Sequence, residues 1–185
     1  MKAHVFYVFL CFLIDGILAV LFPNSYLLDQ MMFIPCLGFS AMVLTIREMD
    51  LVNACLFACC FGIFYDFFYA QTFAVNAVIF TIIALIVHTW SRHMTETIVE
   101  LLVLCISTIF VKELMVYIVM SLQSVTDMSL TTWFINREFL TLIFNVGLAL
   151  IVVFLLRIKD DYLEIRDRRI RREEHIQWTK LSSKR

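Results

Sequence analysis

The chain has 185 residues, of which 62% are hydrophobic and 17% are charged, and its formal net charge is −1. A soluble domain typically has roughly 25% charged residues, so this chain has too few polar side chains to cover a water-soluble globule. The composition also excludes intrinsic disorder, collagen-like repeats and a charge-driven nucleic-acid-binding protein. The sequence therefore predicts an all-α, polytopic integral membrane protein.

Six apolar segments of the chain approach the length of about 20 residues that a helix needs to cross a bilayer. The second segment is short and contains Pro35 and Gly38. Because unpaired backbone groups cannot face hydrocarbon, we expect every segment to be helical throughout. The predicted transmembrane helices span residues 5–22, 31–46, 51–70, 73–90, 98–120 and 139–156.

The positions of Lys and Arg predict the orientation of the helices. With both termini in the cytoplasm, 13 of the 15 basic residues lie on the inner side, Arg137 lies outside and Lys112 lies within a span. This topology divides the chain into a six-helix transmembrane domain, residues 1–156, and a charged cytoplasmic tail, residues 157–185. The longest outer loop is then residues 121–138.

The tail has ten basic and six acidic residues. Ile158, Tyr162 and Ile165 follow helical spacing, so the sixth helix is predicted to continue into the cytoplasm. The tail is interpreted either as a solvated extension that enforces topology or as a docking site for a cytoplasmic partner or anionic lipid headgroups.

Ionisable side chains inside a membrane span are costly and are functional candidates by default. Six of them fall at similar depth in the outer half of the predicted bundle, and we expect them to form one polar cluster in which Lys112 pairs with Asp15 or Asp66. Three interpretations stay open: an ion-pair framework that fixes helix packing, a binding cavity open to the outer face, and an ion pathway, which the one-sided distribution disfavours. The six residues are Asp15, Asp66, Lys112, Glu113, Arg137 and Glu138.

Small residues recur every fourth position on the third and fourth predicted helices, a pattern that lets membrane helices approach closely. Because a two-residue turn joins these helices, the two stripes are predicted to face each other. Asn76 is expected to hydrogen-bond to Asp66, and Asn53 and Asn145 are interpreted as interhelical hydrogen-bonding residues. The stripes are Ala54, Ala58, Gly62 and Asp66, and Ala77, Thr81, Ala84 and His88.

The sequence has none of the glycine-rich, nucleophile-elbow or zinc-protease motifs that carry catalysis. The predicted loops are also too short to hold a soluble domain, and the six cysteines show no metal-ligand spacing. We therefore expect a protein that is not an enzyme and that uses no metal or other cofactor.

The stretch FGIFYDFFYAQTFAVNA, residues 61–77, resembles the signature region of the rod shape-determining protein MreD family. Gly62, Asp66 and the pair Asn76-Ala77 match that pattern, whereas Ala74 stands where the family usually has Gly. The chain length, the predicted six-helix topology and the basic tail are also similar to MreD.

This resemblance implies a non-enzymatic scaffold of the bacterial cell-elongation machinery, a multi-pass protein of the plasma membrane. Such a protein binds MreC, a bitopic membrane protein, and helps to position peptidoglycan synthesis and maintain cell shape. Its wider partners are RodA, a penicillin-binding protein, membrane lipid and, where present, MreB; no nucleic acid is expected. The residues expected to bind a partner or to hold the polar cluster are Asp15, Gly62, Asp66, Asn76, Lys112, Glu113, Arg137 and Glu138.

The same family is similar in fold to the substrate-binding subunits of energy-coupling-factor vitamin transporters, which supplies an alternative function. A vitamin-binding subunit would need a defined pocket beneath the outer loop. Trp133 and Phe134 are the aromatic residues there that could stack on a flat ligand.

Overall fold

The computed structural model describes residues 2–21, 33–70, 74–91, 94, 97–124 and 128–182. Within these ranges the chain is almost entirely helical and contains no β-strand, which confirms the predicted all-α class. The chain forms two compact units, Met1–Val153 and Phe154–Arg185.

Seven α-helices follow one another along the described chain, together with two short π-helical turns. The first π-helical turn, π1, extends α3, and the second, π2, connects α6 to α7. The elements are α1 Lys2–Leu21, α2 Leu37–Ile46, α3 Leu51–Tyr65, π1 Asp66–Ala70, α4 Val75–Ser91, α5 Ile98–Leu122, α6 Leu130–Trp133, π2 Phe134–Glu138 and α7 Phe139–Ser182.

Four helical stretches are long and apolar enough to cross a membrane, and α2 and α4 are shorter apolar helices. Large hydrophobic side chains are exposed along all four stretches, as expected of surfaces that face lipid rather than water. The fold is therefore compatible with a membrane protein. The four stretches are Ala3–Leu21, Leu51–Tyr69, Ile98–Leu122 and Leu130–Arg166.

The predicted second helix is wrong in its first half. Residues 33–36 are not helical and α2 begins only at Leu37, while Met31 and Met32 lie outside the described residues. Pro35 accounts for the difference, because proline has no backbone N–H and its ring clashes with the preceding turn of a helix. The backbone groups of residues 33–36 must therefore find partners elsewhere.

The predicted outer loop is also shorter than expected. Residues 130–138, assigned to that loop from the sequence, form α6 and π2 and run directly into α7. At its other end, α7 continues to Ser182, so the prediction that the last helix extends into the tail is confirmed.

Candidate functional site

A carboxylate from α1 caps the N-terminus of α2. Oδ1 of Asp15 accepts the N–H of Leu37 at 2.9 Å, and Oδ2 accepts the N–H of Gly38 at 2.6 Å. The first N–H groups of a helix have no partner within that helix, and its positive N-terminal dipole favours a nearby anion. Asp15 is buried, so this contact allows α2 to begin in the interior of the bundle.

A second carboxylate caps α4 in the same way. Oδ1 of Asp66 accepts the N–H of Asn76 at 3.1 Å, and Oδ2 accepts the N–H of Ala77 at 3.0 Å. The Nδ2 of Asn76 also donates to Oδ1 at 2.8 Å, which confirms the hydrogen bond predicted between these side chains. The α1–α2 and α3–α4 hairpins thus share one arrangement, in which an aspartate from the first helical segment caps the N-terminus of the second helix.

Glycine allows the two helices of each hairpin to approach closely beside the cap. A β-carbon on Gly62 would lie 2.5 Å from the Cα of Ala77, and one on Gly38 would lie 2.8 Å from the Cα of Phe12. The predicted facing of the small-residue stripes on α3 and α4 is therefore confirmed at Gly62. The stripe alanines Ala54, Ala58 and Ala84 are fully buried.

Ala74, which directly precedes α4, has a φ of 59°. This is the left-handed region of backbone conformation, which glycine adopts without steric cost and other residues rarely adopt. The carbonyl of Ala74 accepts the N–H of Val78, so this strained residue forms the entry to α4.

Two residues of α7 bind the non-helical segment that precedes α2. The Oδ1 of Asn145 accepts the N–H of Cys36 at 2.9 Å, and its Nδ2 donates to the carbonyl of Ile34 at 2.8 Å. The hydroxyl of Thr141 accepts the N–H of Ile34 at 3.3 Å. These bonds supply the partners that residues 33–36 lack within a helix. Asn145, predicted to hydrogen-bond between helices, instead joins α7 to this non-helical segment, and Asn53 is exposed on α3.

Lys112 is buried and pairs with its neighbour in the chain. Its Nζ lies 2.8 Å from Oε1 of Glu113 and donates to Sγ of Cys36 at 3.3 Å. The ammonium also lies 5.3 Å and 5.5 Å from the ring centroids of Phe39 and Tyr65, within the range of cation–π attraction. The predicted pairing of Lys112 with Asp15 or Asp66 is wrong, because Lys112 pairs with Glu113 and only attracts Asp15 from a longer distance.

Arg137 and Glu138 of π2 complete a charged group with α5. The guanidinium of Arg137 lies 3.9 Å from Oε2 of Glu113. Glu138 is fully buried, and its charged neighbours are Glu113, Lys112 and Arg137. Among the described residues, neither of its carboxylate oxygens has a hydrogen-bond partner. The single predicted cluster is thus a four-residue charged group on α5 and π2, flanked by the two aspartate caps.

An apolar groove lies between α1 and α3. Its volume is about 370 Å³, and Val5, Asn53, Phe57 and Phe61 are among its lining residues, none of which is an acidic or a basic residue. Trp133, predicted to be available to a flat ligand, is instead buried with its ring stacked 5.0 Å from that of Tyr117. That prediction is wrong for Trp133, although Phe134 is exposed.

Sequence reasoning missed Thr141 and Cys36 as parts of the polar framework. Thr141 and Asn145 are four residues apart and so lie on one face of α7, a spacing that could have identified them as a pair. The role of Cys36 has no comparable signal, since it depends on the non-helical segment that brings its thiol to Lys112.

Among the residues that the structure describes, no group of three or more His, Cys, Asp or Glu side chains could hold a metal ion. Comparison of the chain with protein-family models, curated proteins and solved structures returned no match.

Proposed function

We propose that this protein is a non-enzymatic, MreD-like membrane scaffold of the bacterial cell-elongation machinery, which binds an MreC-like bitopic protein in the plasma membrane. One observation carries the proposal. The residues that match the MreD motif are separated by up to 15 positions in the chain, yet they meet at one contact. Gly62 admits the backbone of Ala77, and Asp66 binds Asn76 and Ala77. These residues together hold α3 against α4, which explains why this combination of residue types is needed at this spacing.

The proposed topology has six spans with both termini in the cytoplasm. Helix α2 has 10 residues, or about 15 Å of rise, and the four non-helical residues before it add at most roughly 13 Å. Together they approach the hydrocarbon thickness of about 30 Å, as does α4, whose 17 residues rise about 26 Å. The basic residues support the orientation, because 13 of 15 fall on one side.

The proposed mechanism is helix-to-helix docking of the transmembrane anchor of the MreC-like protein. In lipid, such docking depends on close packing and interhelical hydrogen bonds, since apolar surface gains little by leaving lipid for protein. Packing of this kind requires a surface of defined shape. The caps made by Asp15 and Asp66 and the contacts of Asn145 hold the helices in fixed register, and this supports a role as a rigid platform.

Co-purification with an MreC-like protein tests the proposal. The affinity-tagged chain is co-expressed with a bitopic MreC-like protein from the same organism, extracted in mild detergent and passed through size exclusion. We expect a stoichiometric complex for the wild type and for Asp50→Leu, which alters an exposed residue. Asp66→Leu should reduce the yield of the complex. Recovery of the chain without the MreC-like protein, under conditions that preserve its fold, would overturn the proposal.

The MreC-like complex is proposed to act with RodA and a penicillin-binding protein, and with MreB where it is present, in placing new peptidoglycan. A vitamin-binding subunit is the alternative, and the burial of Trp133 against Tyr117 removes one of the two aromatic residues on which that idea depends. Saturable binding of a vitamin to the purified protein would favour it instead.

A further inference from the structure

The last helix is longer than a bilayer requires. The continuous helical stretch Leu130–Arg166 has 37 residues, or about 55 Å of helix, against a hydrocarbon thickness of about 30 Å. Charged residues begin at Arg157 and recur to the end of α7. The part of α7 beyond Arg157 therefore lies in water or among lipid headgroups. An apolar face on this part of the helix is unfavourable there unless another surface covers it.

Such a face is present within the unit Phe154–Arg185. Leu155, Ile158, Tyr162 and Ile165 form a ridge, here called the α7 ridge, with successive spacings of three, four and three residues. Ile158 is 49% exposed, Tyr162 66% and Ile165 53%, while Leu155 is half-buried. Alternating spacings of three and four place apolar residues at the a and d positions of a heptad, the pattern of helices that pair as coiled coils.

The charges beside the α7 ridge suit a parallel pair of identical helices. With Leu155 and Tyr162 at a positions and Ile158 and Ile165 at d positions, Asp161 occupies position g and Arg166 occupies the following position e. In a parallel coiled coil a residue at g lies beside the e residue of the next heptad on the partner helix. In a symmetric pair, Asp161 of each copy therefore lies beside Arg166 of the other copy, so opposite charges meet at both of these contacts.

The sequence repeats this relationship one heptad later, since Arg168 stands at g and Glu173 at e. Arg169 and Arg172 occupy the next a and d positions, and a basic residue in the seam costs stability. The apolar contact is therefore short, from Leu155 to Ile165. Confinement of both copies in the membrane must raise the effective concentration of their α7 helices enough for so short a contact to form.

The membrane also dictates the direction of pairing. Two copies that insert with the same orientation project α7 from the same face of the bilayer, so their ridges can only meet in parallel and in register. This is the arrangement in which the charges at g and e are complementary. We propose that the α7 ridge is a self-association surface, through which two copies of this chain form a parallel two-helix coiled coil outside the bilayer.

Disulfide cross-linking in membranes tests this surface. Ile165→Cys places a thiol at a d position, where the two copies meet, and Asp160→Cys places one at position f on the opposite side of the helix. Mild oxidation should convert the first variant to dimer several-fold more than the second or the parent chain, which carries its six native cysteines. Equal cross-linking at the two positions would overturn the proposal, because it would report random collision.

A charge swap separates pairing from misfolding. Asp161→Arg and Arg166→Asp, each introduced into the Ile165→Cys chain, should both reduce the cross-linked dimer by placing like charges opposite each other. The double swap Asp161→Arg/Arg166→Asp should restore it, which a general folding defect would not do. The proposal would be overturned if the double swap gave as little cross-linked dimer as the single swaps. It would also be overturned if the dimer formed only with anionic lipid and its yield did not change with the swaps, because the ridge would then bind the membrane surface.

Discussion

The backbone of Ala77 passes so close to Gly62 that a β-carbon on Gly62 would lie 2.5 Å from the Cα of Ala77 and 2.9 Å from its nitrogen. Both atoms belong to the main chain, so the contact cannot be relieved by rotating a side chain. The N–H of the same Ala77 is the one that Asp66 accepts at 3.0 Å. Close approach and helix capping are therefore one structural feature, and a change at either residue is expected to separate α3 from α4.

Gly62→Ala is expected to destabilise the protein by about 1–3 kcal/mol, the usual cost of overpacking a well-filled interior. Thermal unfolding in detergent measures the effect. Gly147→Ala is the matched control, because a β-carbon at Gly147 would meet nothing within 4 Å and alanine favours the helix. If both variants unfold at the wild-type temperature, the contact between Gly62 and Ala77 does not limit the packing of α3 on α4.

Asp66→Leu is expected to be more damaging than Asp50→Leu. Leucine at position 66 leaves the N–H groups of Asn76 and Ala77 without an acceptor in the interior, and hydrogen bonds to charged groups are worth about 1.5–3 kcal/mol each. Asp50 is exposed and its side chain forms no capping hydrogen bond. Unfolding temperature and cell morphology are the measurements, and equal tolerance of the two changes in both assays would contradict the capping role.

Asn145→Leu tests the contacts that hold the non-helical segment before α2. The variant loses the hydrogen bonds to Cys36 and Ile34 and leaves those backbone groups buried, at about 1–3 kcal/mol for each. Asn53→Leu makes the same chemical change at an exposed residue and should be close to neutral. Protease resistance in detergent compares them, and an Asn145→Leu protein as resistant as Asn53→Leu would argue against the role of Asn145.

Lys112→Met is expected to be worse alone than in combination with Glu113→Gln. Removing one member of a buried ion pair leaves the other uncompensated, at about 3–5 kcal/mol, so the double variant should be less damaged than the two single effects predict. A coupling energy of about 0.5–3 kcal/mol from a double-mutant cycle would support the pair. Lys112→Met should combine additively with Asp66→Asn, because Asp66 binds the N-terminus of α4. Coupling to Asp66 and not to Glu113 would reverse the assignment.

Ala74→Gly is expected to stabilise the protein by up to about 1 kcal/mol, because glycine adopts a φ of 59° without steric cost. Ala74 is exposed, so the substitution sacrifices little packing. Ala19→Gly, in the helical backbone of α1, should instead destabilise by up to about 1 kcal/mol. A lower unfolding temperature for Ala74→Gly would show that this turn does not strain the native chain.

The sequence predicts the helical class and most of the apolar segments, because long apolar runs have few other structures in a membrane. It also predicts the contact between Asp66 and Asn76, since a short connection between consecutive helices brings their adjoining ends together. It does not predict the ion pair of Lys112 with Glu113, because residues adjacent in a helix usually point in different directions. The sequence also does not predict how the non-helical residues 33–36 are held, since their partners Thr141 and Asn145 lie more than 100 positions away.

Measured affinity for the transmembrane anchor of an MreC-like protein tests the central claim most directly. The purified chain in lipid nanodiscs is titrated with the full-length bitopic protein and with a version whose anchor is replaced by an unrelated apolar helix of equal length. A scaffold that docks by helix packing is predicted to bind the native protein saturably and to lose that binding when the anchor is exchanged. Undiminished binding after the exchange, or none to the native protein, would contradict the account.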